Sequence, residues 1–252
     1  MISIITTSYN SKATISDTLN SILSQRFPDF ECIVIDGGSS DGTLEIIKEF
    51  EQQFNGKLKW ISEPDQGIYD AMNKGIHLAK GDIIGFLNSD DYFASDNSLT
   101  YIDENIDSVD CVYGDLDFVA SADNQTIVRE WRGSQYKEGA FVKGWHPAHP
   151  TFYAKKECYD KFGGYDIKFD VSADFELMLR FIEKHKISNR YIPEVLVKMR
   201  TGGESTGSLS KILLGNQNIK RAFKKNGIKP QKFYTLRRIL PKIIDRIKHV
   251  RI

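Results

Sequence analysis

The sequence predicts an α/β fold in which a largely parallel sheet carries helices on both faces. Short apolar runs, each as long as a buried strand, occur at residues 2–6, 32–35, 58–62 and 83–87. Between them, apolar residues recur at the spacing of one helix face, as in Ile15, Leu19, Ile22 and Leu23. Strands and helices that alternate in this order favour parallel pairing, because each crossover returns the chain to the same edge of the sheet.

The remaining elements follow from similar patterns. Residues 44–50 and 68–79 are predicted to be the second and third helices, and Gly81 ends the third,. In the less regular second half, strands are expected at residues 112–118, 126–131 and 191–199, with a helix from Phe175 to about residue 185. Residues 200–208 form a loop rich in glycine and serine.

The composition is typical of a soluble globular protein. The chain has 252 residues, of which 40% are hydrophobic and 27% charged, so it has room for one large α/β domain or two small ones. No apolar run approaches the roughly 20 residues of a membrane span, and MISIITTSYN lacks the features of a signal peptide. Cys32, Cys111 and Cys158 lie far apart without metal-ligand spacing, which favours buried thiols in a cytoplasmic protein.

Polar clusters follow the four predicted strands of the first half. They are TSYN at 7–10, DGGSSDGT at 36–43, SEPDQG at 62–67 and NSDD at 88–91. Ordinary turn chemistry explains one such cluster. Four of them at the carboxyl ends of parallel strands favour a binding site, because ligands bind at that edge. The adjacent Asp90 and Asp91 also suit a cation such as Mg²⁺, which prefers one or two carboxylates plus phosphate oxygens.

Common nucleotide and phosphoryl-transfer motifs are absent. No GxGxxG follows the first strand, and no GxxxxGK[ST] occurs, which argues against dinucleotide and P-loop sites. The loop that begins at Asp36 lacks the second Asp of phosphatase loops two positions later. Hydride transfer, ATP hydrolysis and aspartyl-phosphate chemistry are therefore disfavoured.

Four segments together resemble family 2 glycosyltransferases with the GT-A (Rossmann-like) fold. They are ITTSYN, IDGGSSDGT, EPDQGIYDAMNKG and FLNSDD, within a resemblance that covers about residues 1–200. The pair PDQGIYDAMNKG and FLNSDD resembles the branch that acts in bacterial surface-polysaccharide synthesis. The resemblance implies a GT-A domain at 1–208, with a nucleotide-sugar-binding half at 1–118 and an acceptor half at 119–208.

The resemblance also implies roles on the donor side. Thr7 and Tyr9 match the segment that lines the nucleotide pocket, and Asp36 matches an acid that contacts the base or ribose. Asp65 matches a polar position near the base, and Asn73 and Lys74 are expected to face the same pocket. Of the acidic pair, Asp90 is expected on the ribose or donor sugar and Asp91 on Mg²⁺ or Mn²⁺. The chain departs from the family pattern at Gly37, where a second acid is usual, and at Met72, where an Arg is usual.

A catalytic base is expected in the second half. The segment GGYDIKFDVSADFELMLRF (163–181) resembles the family's second signature, GGFD…EDxDL. Asp174 falls on the position of the base, with Ala173 in place of the usual Glu. A role for Asp174 in capping the helix is the alternative, because an acid in the first turn is favourable there. Asp170 and Glu176 are weaker candidates for the base.

Four further residues are candidates for the acceptor or the diphosphate. The resemblance implies that His149 lies near the donor phosphates or the acceptor and that Trp145 stacks on a sugar, although a buried, hydrogen-bonded His149 remains an alternative. The loop at 200–208 matches a segment that closes over the donor. Arg200 and Ser205 in it are expected to reach the diphosphate, with a plain surface loop as the alternative.

The net charge of zero conceals a basic tail. Residues 211–252 contain 13 Lys and Arg but one acid, so of the chain's 34 bases and 34 acids the preceding residues hold 21 and 33. Residues 209–252 are therefore predicted to be a basic helical tail, with an apolar stripe formed by Ile239, Leu240, Ile243, Ile244 and Ile247. Such a helix binds anionic membranes or packs on the domain. Nucleic acid is disfavoured, because few aromatic residues accompany the cations.

These observations together predict an inverting, metal-dependent glycosyltransferase. It would move a sugar, favoured to come from a UDP-sugar, to a glycan acceptor that is expected to be lipid-linked. It would act in the cytoplasm, on the inner face of the cell membrane if the tail binds there. A sugar nucleotidyltransferase and a catalytically silent sugar-nucleotide-binding protein are the alternatives.

Overall fold

The computed structural model describes residues 1–202, 209–232, 234 and 235. In the first half, four strands are joined by three helices. The strands are β1 (Ile2–Ser8), β2 (Phe30–Asp36), β3 (Leu58–Ser62) and β4 (Ile83–Phe86), and the helices are α1 (Ile15–Leu23), α2 (Thr43–Gln53) and α3 (Ile68–Leu78). Strand β1 pairs in parallel with β2 and β4, and β2 pairs in parallel with β3. The predicted alternation of strands and helices is confirmed.

The second half mixes short and long elements. Its strands are β5 (Asp91–Phe93), β6 (Cys111–Val119), β7 (Ile127–Trp131), β8 (Tyr153–Lys155) and β9 (Asn189–Arg200). Its helices are α4 (Ser98–Ile106), α5 (Lys156–Phe162), α6 (Ala173–Met178) and α7 (Leu209–Lys225), and a π-helical segment over Leu179–Lys184 continues α6. The three-residue strands β5 and β8 were not predicted, because an apolar period needs a longer segment to be visible.

All nine described strands belong to one sheet. Its order is β3-β2-β1-β4-β8-β6-β9-β5, with β7 paired to β6. The first four strands are parallel, whereas β8 pairs antiparallel with both neighbours and β5 pairs antiparallel with β9. The predicted parallel sheet is therefore found in β1 to β4, and the rest of the sheet is mixed.

Alternating side chains of the strands supply two apolar cores, one on each face of the sheet. Ile2 and Ile4 of β1 lie in the core that α1 and α2 cover, and Ile5 lies in the core that α3, α6 and α7 cover. Gly75 of α3 lies so close to β1 that an added Cβ would come within 2.3 Å of the Ile5 side chain. Helix α3 is thereby seated directly on the sheet, which fixes the position of the loop before it.

Helix α7, the start of the predicted tail, packs on the domain. Phe223 is fully buried and contacts Phe175 of α6 at 5.6 Å between ring centroids. Asn218 donates to the Val171 carbonyl at 2.9 Å. The described part of this segment thus belongs to the domain core, and the predicted boundary at 208 does not separate it. The apolar stripe of the predicted tail lies outside the described residues. Among the described helices, none is long and apolar enough to span a membrane.

Candidate active site

The polar clusters that follow β1, β2 and β4 meet at the carboxyl edge of the sheet. The Gly37 N–H donates to the Ser8 carbonyl at 2.8 Å, and the Ser89 N–H donates to the Thr7 carbonyl at 3.2 Å. The hydroxyls of Ser11 and Ser89 are 2.7 Å apart. Because these bonds join the ends of three strands, the clusters form one surface, as the sequence predicted.

We call residues 88–91 the acidic turn. It is held by the chain on both sides: Thr7 donates its hydroxyl to Oδ1 of Asn88 at 3.0 Å, and Thr18 donates its hydroxyl to the Asp91 carbonyl at 2.6 Å. The Asp91 N–H closes the turn on the Asn88 carbonyl at 3.0 Å. Strand β1 and helix α1 therefore fix the backbone that presents both carboxylates.

Arg200 is a structural support for the acidic turn. Its guanidinium donates to the Asp90 carbonyl at 2.6 Å, to Oδ1 of Asn124 at 2.7 Å and to the carboxylate of Asp17. Only 6% of Arg200 is exposed. The prediction that Arg200 reaches the diphosphate does not fit this position, because its donors are used within the protein. Ser205, the other candidate in that loop, lies outside the described residues.

The two carboxylates of the acidic turn have different surroundings. Asp91 has no exposed surface, and neither of its carboxylate oxygens has a hydrogen-bond partner within the described structure. Burial, and then the charge of Asp90, raise the pKa of Asp91 well above its ordinary value. Asp90 is half-buried, and burial also raises its pKa, while the charges of Arg200 and His149 act to lower it.

A divalent ion that arrives with a diphosphate fits this turn better than an all-protein metal site does. Among the described residues, no group of three or more His, Cys, Asp and Glu side chains is arranged to hold a metal. Mg²⁺ commonly takes one or two carboxylates and completes its shell with phosphate oxygens and water. Asp90 is the carboxylate that an ion from solvent can reach. The sequence assigned the ion to Asp91, whose complete burial places it behind Asp90.

Asp174 lies in the first turn of α6 and faces two side chains from other elements. Tyr69 of α3 donates its hydroxyl to Oδ1 of Asp174 at 3.3 Å. Nδ1 of His149 lies 3.5 Å from Oδ2, and the charge of His149 also acts on Asp90. About a quarter of the Asp174 side chain is exposed. His149 therefore contacts the predicted base, and its charge also acts on the acidic turn.

The weaker candidates for the base do not share this position. Glu176 has no exposed side-chain surface and pairs with Arg180 at 3.1 Å and with Lys225 at 3.1 Å. Asn226 donates to it as well, at 3.0 Å. Asp170 is exposed. Glu176 is thus part of a structural network that joins α6 to α7.

Asp36 organises its own loop. It is fully buried and accepts hydrogen bonds from the backbone N–H groups of Gly38, at 3.0 Å, and Ser39, at 2.8 Å. The hydroxyls of Ser39 and Ser62 donate to it at 2.5 and 2.8 Å. With four donors already bound, this carboxylate is poorly placed for the predicted contact with a base or ribose. It shapes the loop on which such a contact depends.

Tyr9, Gly37 and Asp65 come together beside that loop. A Cβ added to Gly37 would lie 2.7 Å from Oδ2 of Asp65 and 3.3 Å from the Tyr9 ring. Oδ1 of Asp65 accepts from the Gly67 N–H at 2.8 Å, and two thirds of Tyr9 is exposed. Asp65 thus occupies space next to Gly37, the position where the family's second acid is missing. The structure thus brings Tyr9 and Asp65, two of the residues predicted for the nucleotide pocket, to the same glycine.

Asn73 and Lys74 separate in the structure. The Asn73 amide binds the backbone of Tyr165 twice, accepting at 2.8 Å and donating at 2.9 Å. The Asn73 amide is therefore bound to a neighbouring loop, and its place in the nucleotide pocket stays a prediction. Lys74 bonds to the Pro64 carbonyl at 3.0 Å and to Glu63 at 2.8 Å, which puts it beside the loop that carries Asp65.

Trp145 is half-buried within a group of aromatic side chains. Its ring meets those of Phe141, at 5.5 Å between centroids, Tyr113, at 5.7 Å, and Tyr136, at 5.8 Å. Offset and edge contacts of this kind stabilise a core. The packing gives Trp145 a structural role, and the predicted role as a sugar platform has no support from its surroundings.

Two functional neighbours were missed by sequence reasoning. Tyr69 contacts Asp174 across 105 residues of sequence, and Asp17 pairs with Arg200 across 183. Tyr69 lies within the PDQGIYDAMNKG segment, which was the one available signal. No spacing rule connects either residue with its partner.

The parallel half-sheet carries a carboxylate turn at its edge and is joined to a second half that carries an acid on a helix. The family model described as "Glycosyl transferase family 2" matches residues 3–159. The chain belongs to this family, and it is a glycosyltransferase.

Known proteins with similar sequences and structures carry related descriptions. A "PGL/p-HBAD biosynthesis glycosyltransferase" of Mycobacterium bovis is 30% identical over 250 residues, which cover 98% of this chain and 93% of that protein. Residues 1-349 of TarS of S. aureus, solved with UDP, superpose with a TM-score of 0.66 at 18% identity, covering 94% of this chain and 68% of that fragment. The mannosyltransferase PcManGT of Pyrobaculum calidifontis, solved with GDP-Man and Mn²⁺, gives a TM-score of 0.65 at 20% identity, covering 89% and 63%. These structural matches support the GT-A fold.

Proposed function

We propose that the protein is an inverting, metal-dependent glycosyltransferase that transfers a hexosyl or N-acetylhexosaminyl group from a nucleotide-diphosphate sugar to a hydroxyl of a glycan. The observation that carries this proposal is the contact between His149 and the Asp174 carboxylate, 3.5 Å apart, together with the action of the His149 charge on Asp90 of the acidic turn. Asp90 is suited to the leaving diphosphate and Asp174 to the attacking hydroxyl.

The donor binds along the carboxyl edge of the parallel strands. Thr7, Tyr9 and Asp65 line the nucleotide end, with Lys74 beside the Asp65 loop. A UDP-sugar is favoured as the donor, in keeping with the UDP and UDP-GlcNAc complexes of TarS. The GDP-Man complex of PcManGT makes a GDP-sugar the first comparison to run.

The acidic turn would hold Mg²⁺ or Mn²⁺ together with the donor. Asp90 is the direct ligand in this proposal, and Asp91 supports it from behind with its buried charge. When bound, the ion acts as a Lewis acid that stabilises the charge on the departing diphosphate. The protein's part is to keep the turn rigid, which Thr7, Thr18 and Arg200 do through the hydrogen bonds described above.

Asp174 accepts the proton of the acceptor hydroxyl. As the hydroxyl oxygen bonds to the anomeric carbon, the bond between that carbon and the diphosphate oxygen breaks, and the bonding electrons leave with the diphosphate. Attack from the side opposite the leaving group inverts the configuration of the anomeric carbon. A positioned carboxylate contributes about 10²–10⁴-fold to such a step.

The cellular setting is inferred from chemistry and charge. A lipid-linked saccharide acceptor in bacterial polysaccharide synthesis would bring the substrate to a membrane surface. A basic amphipathic tail would hold the enzyme there, since each Lys or Arg near an anionic surface contributes about 1 kcal/mol. We therefore propose a peripheral position on the cytoplasmic face of the cell membrane.

A donor screen tests the proposal. UDP-, GDP- and dTDP-sugars are added to the protein with Mg²⁺, with Mn²⁺ or with a chelator, and the melting temperature is measured. One donor class should raise it in the presence of metal only, because a ligand that binds the folded state stabilises it by mass action. If no nucleotide sugar does so, the proposed function is overturned. Binding without any transfer or hydrolysis would instead favour a silent binding protein.

A further inference from the structure

Tyr69 connects the two halves of the site. It lies in the first turn of α3, in the donor half, and its hydroxyl donates to Oδ1 of Asp174 at 3.3 Å. The backbone N–H groups of Ala173 and Asp174 also act on the phenol oxygen. The tyrosine therefore meets both the carboxylate of the proposed base and the backbone that begins its helix.

The Tyr69 ring is held in place by packing. It stacks on Tyr165, with 5.5 Å between centroids and 23° between planes. Tyr165 in turn packs edge-on against Phe86 of β4 at 5.2 Å, and its backbone is bound at both ends by the Asn73 amide of α3. Because Tyr165 is anchored both to the sheet and to α3, the stack on Tyr165 holds the Tyr69 ring in place.

Both oxygens of Asp174 face a side chain of the protein. Tyr69 contacts Oδ1, and Nδ1 of His149 lies 3.5 Å from Oδ2. Burial, and then the charge of Asp174, raise the pKa of the Tyr69 hydroxyl well above its ordinary value. The phenol therefore stays protonated at neutral pH and remains a donor to the carboxylate.

We propose that Tyr69 is a positioning residue that holds the carboxylate of Asp174 in the orientation needed to accept the acceptor's proton, an inference that rests on the proposed role of Asp174 as base. Helix α3 starts directly after the loop in which Asp65 accepts from the Gly67 N–H. One rigid helix therefore sets the separation between the proposed nucleotide pocket and the base.

Loss of the hydroxyl should affect turnover and leave donor binding intact. The carboxylate would keep its charge and lose one of the two groups that orient it. A displacement of about 1 Å at a reacting group can cost on the order of 10²-fold in rate. We expect Tyr69→Phe to lower kcat by about 10- to 100-fold, with the donor KM unchanged.

Tyr69→Phe removes only the hydroxyl, because the ring that stacks on Tyr165 remains. Tyr153→Phe is its matched control: Tyr153 is fully buried, and its hydroxyl has no hydrogen-bond partner within the described structure. The control should keep the wild-type kcat. For both variants, the metal-dependent rise in melting temperature on donor addition should match that of the wild type, which shows that folding and donor binding survive.

Asp174→Asn separates this inference from the proposed function. If Asp174→Asn transfers normally, the assignment of the base fails, and the role of Tyr69 fails with it. If Asp174→Asn is inactive while Tyr69→Phe keeps full kcat, Asp174 stands as the base and the positioning role is overturned. An equal fall in kcat for Tyr153→Phe, or a raised donor KM for Tyr69→Phe, would also overturn it.

Discussion

Two buried carboxylates, one in the acidic turn and one between α6 and α7, have opposite surroundings. Asp91 has no hydrogen-bond partner for either carboxylate oxygen in the described structure, and burial followed by the charge of Asp90 raises its pKa. Glu176 is buried as completely, but burial is outweighed there by Arg180, Asn226 and Lys225, so the pKa of Glu176 falls below its ordinary value.

The difference separates a buried carboxylate that is paired within the protein from one whose oxygens have no hydrogen-bond partner in the described structure. A buried charge is costly unless it is paired and hydrogen-bonded. The protein provides that compensation between α6 and α7, whereas at the edge of the parallel strands the backbone N–H and the charge of Arg200 do not outweigh the burial of Asp91. The acidic turn is therefore the region where an external cation would supply what the chain does not.

The largest expected effect among the variants that probe these carboxylates is the loss of activity in Asp90→Asn. Loss of the accessible carboxylate should lower kcat/KM by about 10²–10³-fold, because it removes a charge aimed at the leaving group. The melting temperature of the protein without metal should stay within a few degrees of the wild type. Steady-state transfer assays with Mg²⁺ and Mn²⁺ measure the effect, and Asp103→Asn, an exposed acid on α4, is the control. Full activity in Asp90→Asn would show that the turn does not serve the donor.

Glu176→Gln should have the next largest effect, on stability. Breaking a buried ion pair costs about 3 kcal/mol of unfolding free energy. Because the folded pKa of Glu176 lies below its ordinary value of 4.5, its stabilisation is present above about pH 4.5 and is lost as the pH falls through the folded pKa. Urea unfolding at pH 7 and pH 4 should therefore show a larger deficit at pH 7. An equal loss of unfolding free energy at pH 7 and pH 4 would show that the charge of Glu176 is not the source of the stabilisation.

Arg200→Lys tests the support of the acidic turn. Lysine keeps the charge and loses the planar group that reaches Asp17, Asn124 and the Asp90 carbonyl together,. We expect a loss of about 2 kcal/mol in unfolding free energy and weaker binding of the metal and donor. Chemical denaturation and a donor titration measure the two effects. If Arg200→Lys keeps both the wild-type unfolding free energy and the wild-type donor affinity, Arg200 does not support the acidic turn.

Asp91→Asn should give the smallest change, a gain of about 1 kcal/mol in the protein without metal, because a neutral amide is less costly to bury than an unpaired charge. The folded pKa of Asp91 lies above its ordinary value of 3.8. Its ionisation therefore lowers stability as the pH rises from about 3.8 through the folded pKa. Melting curves in a chelator between pH 4 and pH 8 should show the gain at the higher values. If Asp91→Asn is less stable than the wild type at pH 8, other groups of the folded protein compensate the buried charge of Asp91.

The sequence predicted the regular half of the molecule well, because strand and helix periods report which side chains face the core. Four strands, three helices and the shared edge of the polar clusters follow from that pattern. The sequence did not predict which side chains and backbone groups contact each other across the fold. Asn73 was assigned to the nucleotide pocket from its motif, yet its amide binds the Tyr165 backbone, which only the tertiary structure brings within reach.

The same limit applies to Arg200 and Tyr69. Arg200 stands at the start of a glycine-rich loop, which favoured a role at the diphosphate, and the structure instead surrounds its guanidinium with acceptors. Tyr69 appeared to be one more residue of a helix, and its contact with Asp174 depends on how α3 and α6 pack. Such long-range contacts produce no periodic pattern of residues in the sequence.

The most direct test of the account is a calorimetric titration of Asp174→Asn with the donor and Mn²⁺, followed by a single-turnover transfer assay on the same sample. The account predicts a wild-type affinity for the donor together with a transfer rate at least about 10²-fold below that of the wild type. A variant that binds the donor and transfers its sugar at the wild-type rate would contradict the assignment of the two carboxylates to leaving group and base.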